Sequence, residues 1–114
     1  MIVANSPPIN EEKLREIMGD DEELLRECLM DFVNDYPGML HKIKSAIDTQ
    51  KCNDLEHAAH AFKGSLSYLA AKDATHAALA LETMGKNRDL KNVGTMFDRL
   101  KTECEKIKAF ASSY

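Results

Sequence analysis

Apolar residues in this chain recur at steps of three and four over most of its length, the spacing of helices that bury one face. Asn10 is a suitable N-cap for a first short helix, EEKLREIMG, with Glu11 and Glu12 in its first turn and a stop near Gly19. Residues 1–9, with Ser6, Pro7 and Pro8, predict an extended leader, because proline resists helix and restricts the residue before it. A second helix opens at Asp20 or Asp21 and presents Leu24, Leu25, Cys28, Leu29, Phe32 and Val33 as a wide apolar face. Pro37 predicts a break, a kink or the first turn of a new helix, after which Met39, Leu40, Ile43, Ala46 and Ile47 continue a stripe to about Gln50.

A short connection, Thr49 to Cys52, leads into NDLEHAAHAFKGSLSYLAA, Asn53 to Ala71, capped by Asn53 or Asp54. The chain is then expected to turn around Ala70 and Lys72. Asp73 can cap a helix through Ala77, Ala78, Leu79, Leu81 and Met84 that ends at Gly85. A polar turn at Asn87 to Asp89 precedes the longest amphipathic pattern, Val93, Met96, Phe97, Leu100, Cys104, Ile107 and Phe110. Such short turns between helices imply antiparallel neighbours in an all-α bundle.

Composition narrows this without changing it. The 114 residues suit one domain with one modest core, and 44% hydrophobic against 30% charged residues, with no Trp, is a soluble helix-rich profile. A net charge of −4 and the lack of any basic run argue against nucleic acid or an anionic membrane as partner. No stretch approaches the ~18 apolar residues of a membrane span, and the N-terminus lacks a targeting pattern. Cys28, Cys52 and Cys104 are odd in number with no C-x-x-C pair, which predicts free thiols and a reducing cytoplasm.

Candidate chemistry lies on the stretch from Asn53 to Ala71. On a helical wheel Leu55, Ala58, Ala59, Phe62, Leu66 and Leu69 fall within roughly 60° of one direction, while Lys63 lies at about 80°, Ser67 at about 120°, His60 at about 140° and Gly64 at about 180°. His60 therefore faces away from the core, with Lys63 and Gly64 one turn beyond it. A neutral imidazole keeps a nucleophilic lone pair at cellular pH, so one ring nitrogen can accept a phosphoryl group while the other holds a proton. Lys63 could pair with the added charge, Gly64 leaves room for an incoming active site, and Ser67 could add a hydroxyl on the same face.

The run AHAFKGS, Ala59 to Ser65, resembles the A-H-x-[LF]-K-G-[SA] signature of histidine-containing phosphotransfer domains. The resemblance places the phosphorylated histidine on His60 and the lysine and glycine on Lys63 and Gly64, and extends more loosely from Asp20 to Phe110, including the LxLE run at Leu79 to Glu82. It implies a four-helix bundle, here with an additional short N-terminal helix, that neither binds ATP nor phosphorylates itself. Such a monomeric phosphocarrier relays phosphate to or from the aspartate of a response-regulator receiver domain and takes part with a sensor or hybrid histidine kinase. It needs no cofactor of its own, and Mg²⁺ is expected on the receiver. The absence of a Gly-rich phosphate loop agrees with this. Where many members of that family have a glycine, this chain has Ala70.

Two other readings compete. His57, His60 and Glu56 are close enough in sequence for metal ligation, but bundle di-metal sites need ligands that project inward, and both histidines point outward. A non-catalytic helical adaptor could use the same outward face, with His57, Ala61 and Tyr68 at its edge, to bind receiver or other signalling domains without being phosphorylated. His41 and His76 have no assignable partners. Lys42, Lys44 and Lys72 could add positive potential near the site, although a solvated surface also accounts for them.

Overall fold

The computed structural model describes residues 7–114, so the Met1–Ser6 part of the expected leader lies outside the described residues. Five helices follow in order: α1 Glu11–Met18, α2 Glu22–Asp48, α3 Cys52–Tyr68, α4 Lys72–Asn87 and α5 Val93–Ser112. The four long helices form a closed ring in which α2 packs on α3 and α5, and α4 packs on the same two, while α1 lies against α2. This is the all-α four-helix bundle with a short N-terminal helix that the pattern and the resemblance imply. No helix among the described residues is long and apolar enough to cross a membrane.

Local chemistry explains most of the boundaries. The Asn10 side chain accepts from Lys13 N at 3.0 Å and the Asp21 side chain from Leu24 N at 3.0 Å, so both N-caps are of the expected kind. Gly19, at φ 65°, ends α1 as expected. Ile9, read as part of the extended leader, is instead 1% exposed, and the Asn10 amide donates to the Ala70 carbonyl at 2.9 Å. A single apolar residue between Pro8 and Asn10 shows no period, so its burial could not be read from spacing.

Several expectations are corrected. Of the alternatives at Pro37, a break and the start of a new helix do not occur: α2 runs 27 residues continuously through it. The buried stripe Leu25, Leu29, Phe32, Tyr36, Leu40, Ile43 and Ala46 stays in helical register across the proline, so core packing on both sides outweighs one lost backbone hydrogen bond. Phe32 stacks on Tyr36 at 5.2 Å and faces Phe62 of α3 at 6.2 Å, fastening the helix on the N-terminal side of Pro37. Leu24 and Leu79, taken as core, are 40% and 44% exposed, because those helices bury narrower stripes than their apolar residues suggest.

Helices α3 and α4 begin at Cys52 and Lys72, with Lys51 and Ala71 in the cap positions and no side-chain capping bond, rather than at caps formed by Asn53, Asp54 or Asp73. Both starts follow directly on tightly wound ends. Lys51 N donates to Ala46 O at 2.9 Å and Ala71 N to Leu66 O at 3.0 Å, closing the preceding helices with left-handed Gln50 and Ala70 at φ 56° and 57°. α3 thus ends at Tyr68, before the expected Ala71, and Ala70 adopts the conformation that glycine ordinarily fills. Near the C-terminus of α5, the Tyr114 hydroxyl donates to Glu22 at 2.8 Å and receives a hydrogen bond from Arg15 at 2.6 Å, joining α5 to α1 and α2.

Candidate functional site

The site begins with how closely α3 and α4 approach. The buried residues of α4, which packs on α3 and α5, are Ala74, Ala77, Ala78, Leu81 and Gly85, mostly small. At Gly85 a β-carbon would lie 2.7 Å from both the Cys52 carbonyl oxygen and the Glu56 amide nitrogen of α3. Glycine is therefore required there for backbone contact, and Gly85 is not the helix end that the sequence suggested; α4 continues to Asn87. Glu82 lies three residues before Gly85 and so on nearly the same side of α4. The antiparallel register sets it beside the residues one and two turns beyond Glu56.

Those residues are His60 and Lys63. His60 Nδ1 is 2.8 Å from Glu82 Oε2, and Lys63 Nζ is 2.7 Å from Oε1. One carboxylate thus bridges a ring nitrogen and an ammonium. The Lys63 contact has the distance of an ion pair but not the angles of a good hydrogen bond, leaving Oε1 otherwise unpartnered. The His60 side chain is 67% exposed and that of Glu82 only 17%, so the network is anchored at its inner end and open at the imidazole. Lys63, reinforced by His60, holds the Glu82 carboxyl below the usual carboxylate range, against the opposing effect of burial.

This geometry selects one face of the ring. A carboxylate can only accept, so the hydrogen bond places the proton on Nδ1 and leaves the lone pair on Nε2. Gly64, one turn on, is exposed, and a β-carbon there would meet nothing within 4 Å. The protein's own packing gives no reason for glycine at that position. Gly38 and Gly94 are equally open, so openness alone does not distinguish Gly64; its place beside the imidazole does.

A model of the Hpt domain family matches residues 27–110. The chain belongs to the Hpt domain family. The crystal structure of histidine-containing phosphotransfer protein B (HptB) from Pseudomonas aeruginosa PAO1 is similar to this Hpt domain with a TM-score of 0.88, over 96% of this chain and 95% of that one, at 20% identity. That likeness concerns the fold. Comparison with curated protein sequences finds no match. Membership of the family assigns a histidine phosphotransfer role in a phosphorelay.

In this Hpt domain the structure brings together His60 and Lys63 as the sequence anticipated, and adds Glu82. Ser67 shares the outward side but lines a separate cleft of about 230 Å³ with Lys13, Lys72 and Thr75, and makes no hydrogen bond with the His60 ring. His57 borders the α2 side of α3. Among the described residues no three His, Cys, Asp or Glu side chains converge as metal ligands. Glu82 lies inside the LxLE run noted in the sequence, yet no role could be read for it. Its only local signal is a carboxylate between buried Leu81 and Gly85, which does not say which neighbouring helix it meets.

Proposed function

We propose that this Hpt domain carries a phosphoryl group on Nε2 of His60 and exchanges it with the aspartate of a response-regulator receiver domain. The observation that supports this most is the 2.8 Å contact between Glu82 and Nδ1, which leaves an exposed Nε2 lone pair ready to attack. In the accepting direction Nε2 forms a bond to phosphorus as the bond from phosphorus to the aspartyl oxygen breaks, and the aspartate leaves as a carboxylate. The ring keeps its Nδ1 proton and becomes positively charged, and Glu82 balances that charge. The reverse step returns the phosphoryl group to a receiver carboxylate.

Lys63 is the electrostatic support. In the resting state its charge is offset by Glu82, and a phosphoryl group on His60 offers it a second anionic partner. Gly64 is the access position, and Ser67 an accessory further along the face. The acidic pocket and Mg²⁺ that stabilise the transferring group belong to the receiver, so the domain needs no cofactor and no kinase activity of its own. A sensor or hybrid histidine kinase supplies phosphate at the head of such a relay, in the cytoplasm, and the domain acts as a monomer.

The test is incubation with a radiolabelled, phosphorylated receiver domain and Mg²⁺. Label is expected to move to the wild-type protein and not to His60→Gln. Binding of the receiver without any transfer would reassign the domain as an adaptor, and normal labelling of His60→Gln would reject His60 as acceptor.

A further inference from the structure

α1, the end of α3 and the start of α4 meet around a cleft of about 230 Å³, of which the proposed transfer uses no group except Ser67. Its walls carry Lys13 from α1 and Lys72 and His76 from α4, and no carboxylate lines it. Lys13, Lys72 and His76 are all exposed, and none has an ion-pair partner within 4.0 Å among the described residues. Lys44, Lys63 and Lys106, by contrast, each face a carboxylate. The acidic residues nearest in sequence do not neutralise the cleft. Glu11 is paired with Arg15, and neither Glu12 nor Asp73 lines it.

The hydrogen-bonding groups around the cleft are sorted in the same sense. Its acceptors are already engaged within the protein. The Asn10 side-chain oxygen accepts from the Lys13 amide at 3.0 Å, and the Ala70 carbonyl from the Asn10 amide at 2.9 Å. The Ala71 carbonyl takes both the amide and the hydroxyl of Thr75, at 2.9 and 2.7 Å, and the Ser67 carbonyl takes the Ala70 amide at 3.0 Å. What is left over mainly donates. The side-chain NH₂ of Asn10, the Ser67 hydroxyl and the two ammonium groups make no hydrogen bond among the described residues, and a protonated His76 adds a further donor. Engaged acceptors, free donors and unopposed positive charge together suit an anion.

We infer that this cleft binds a small phosphate-bearing anion, inorganic phosphate or the phosphate of a compact monoester, at a site separate from His60. Lys13 and Lys72 match the two charges of a phosphate dianion, and its oxygens accept from Ser67 and Asn10. The volume lies below the ~300 Å³ at which sites for drug-sized ligands begin, which excludes a whole nucleotide. Ser67 stands about 10.5 Å beyond His60 along α3 at 1.5 Å per residue, so an anion held here is out of reach of the imidazole. It is bound and not transferred, and binding does not require that His60 be phosphorylated. The anion joins α1 to α4 across the turn that ends α3, where Ala70 is held at φ 57°, and stabilises the fold by the free energy of its binding.

The test is titration of the ¹⁵N-labelled full chain with inorganic phosphate and with methyl phosphate, read by amide chemical shifts against sodium chloride at matched ionic strength. Saturable shifts are expected at residues 10–13 and 67–76 with either phosphate compound and not with chloride, and the tighter binder of the two identifies the source. Lys13→Gln with Lys72→Gln is expected to weaken binding about tenfold, and Lys13→Glu with Lys72→Glu to abolish it, as the favourable charge is first removed and then reversed. Lys101→Glu on α5 and Lys63→Gln beside His60 are expected to keep the wild-type affinity. Loss of binding in Lys63→Gln would place the anion at His60 and overturn the inference. Wild-type affinity in both double variants, or shifts that chloride reproduces, would overturn it too. Phosphate is also expected to raise the thermal-unfolding midpoint of the wild type and not that of Lys13→Glu with Lys72→Glu, and an equal rise in both would contradict the site.

Discussion

The two flanks of α3 are built from the same kinds of element and behave oppositely. On the α4 side, small residues and Gly85 let the helix backbones touch, and that closeness allows one carboxylate to reach both His60 and Lys63. On the α2 side, larger residues such as Phe32, Met39 and Phe62 meet at intervals and leave clefts between them. Tight packing holds the arrangement of His60, Glu82 and Lys63, because a close-packed seam allows little displacement. Loose packing leaves surface for a partner. α3 thus has one flank of each kind.

Enlarging residues on the two flanks breaks the comparison most directly. Gly85→Ala drives a β-carbon into α3 backbone, and the expected cost is about 1–3 kcal/mol in urea unfolding, with slower transfer as Glu82 moves away from His60. Ala61→Leu, on the exposed wall of the α2 cleft, is expected to stay within ~0.5 kcal/mol of wild type. Equal losses from the two would mean that the flanks are packed alike.

Glu82→Gln sharpens the tight side. It keeps the shape but removes the charge that, in the proposed transfer, balances the phosphorylated ring, and transfer from a phosphorylated receiver is expected to fall about tenfold in single-turnover assays. An unchanged rate would reduce Glu82 to a structural partner of Lys63. At the crest between the flanks, Gly64→Ala is expected to raise stability by ~0.5–1 kcal/mol, since the added methyl meets nothing and a helical glycine is entropically costly. A bulkier Gly64→Gln slows transfer with the fold intact. If transfer by Gly64→Gln matches wild type, the access role of this position is lost.

Smaller effects concern how α3 ends and how the site titrates. Ala70→Gly relieves a left-handed alanine at φ 57° and is expected to add up to about 1 kcal/mol in thermal unfolding; a loss would mean that the buried methyl contributes more than the strain costs. The Glu82 carboxyl titrates lower in the folded protein than in the unfolded chain. Its contribution to stability is therefore fully present above its unfolded value and is lost as pH falls through its lowered folded value. Stability of Glu82→Gln measured across the acid range is expected to fall less steeply than that of wild type, and parallel curves would contradict the lowered value.

Much of this molecule could be read along the chain because it depends on local rules. Helical periodicity located all five helices, side-chain caps marked the starts of α1 and α2, and the wheel separated Leu55, Phe62 and Leu66 from His60 and Gly64. The run AHAFKGS by itself pointed to the family, and the match of residues 27–110 to the Hpt domain agrees. Errors arose where a local rule met tertiary packing. Pro37 did not break α2 because the core stripe continued through it, and Gly85 did not end α4 because its small size served contact with α3.

What the sequence determined by itself, then, is the set of helices and the outward position of the histidine, because both follow from residues three and four apart. Only the tertiary structure decided that Glu82 meets His60 and Lys63, that Ile9 is buried, and that Lys13 shares a cleft with Lys72 and His76. Those facts join residues far apart in the chain. Their proximity depends on which helix faces meet and how closely, and no local period encodes that.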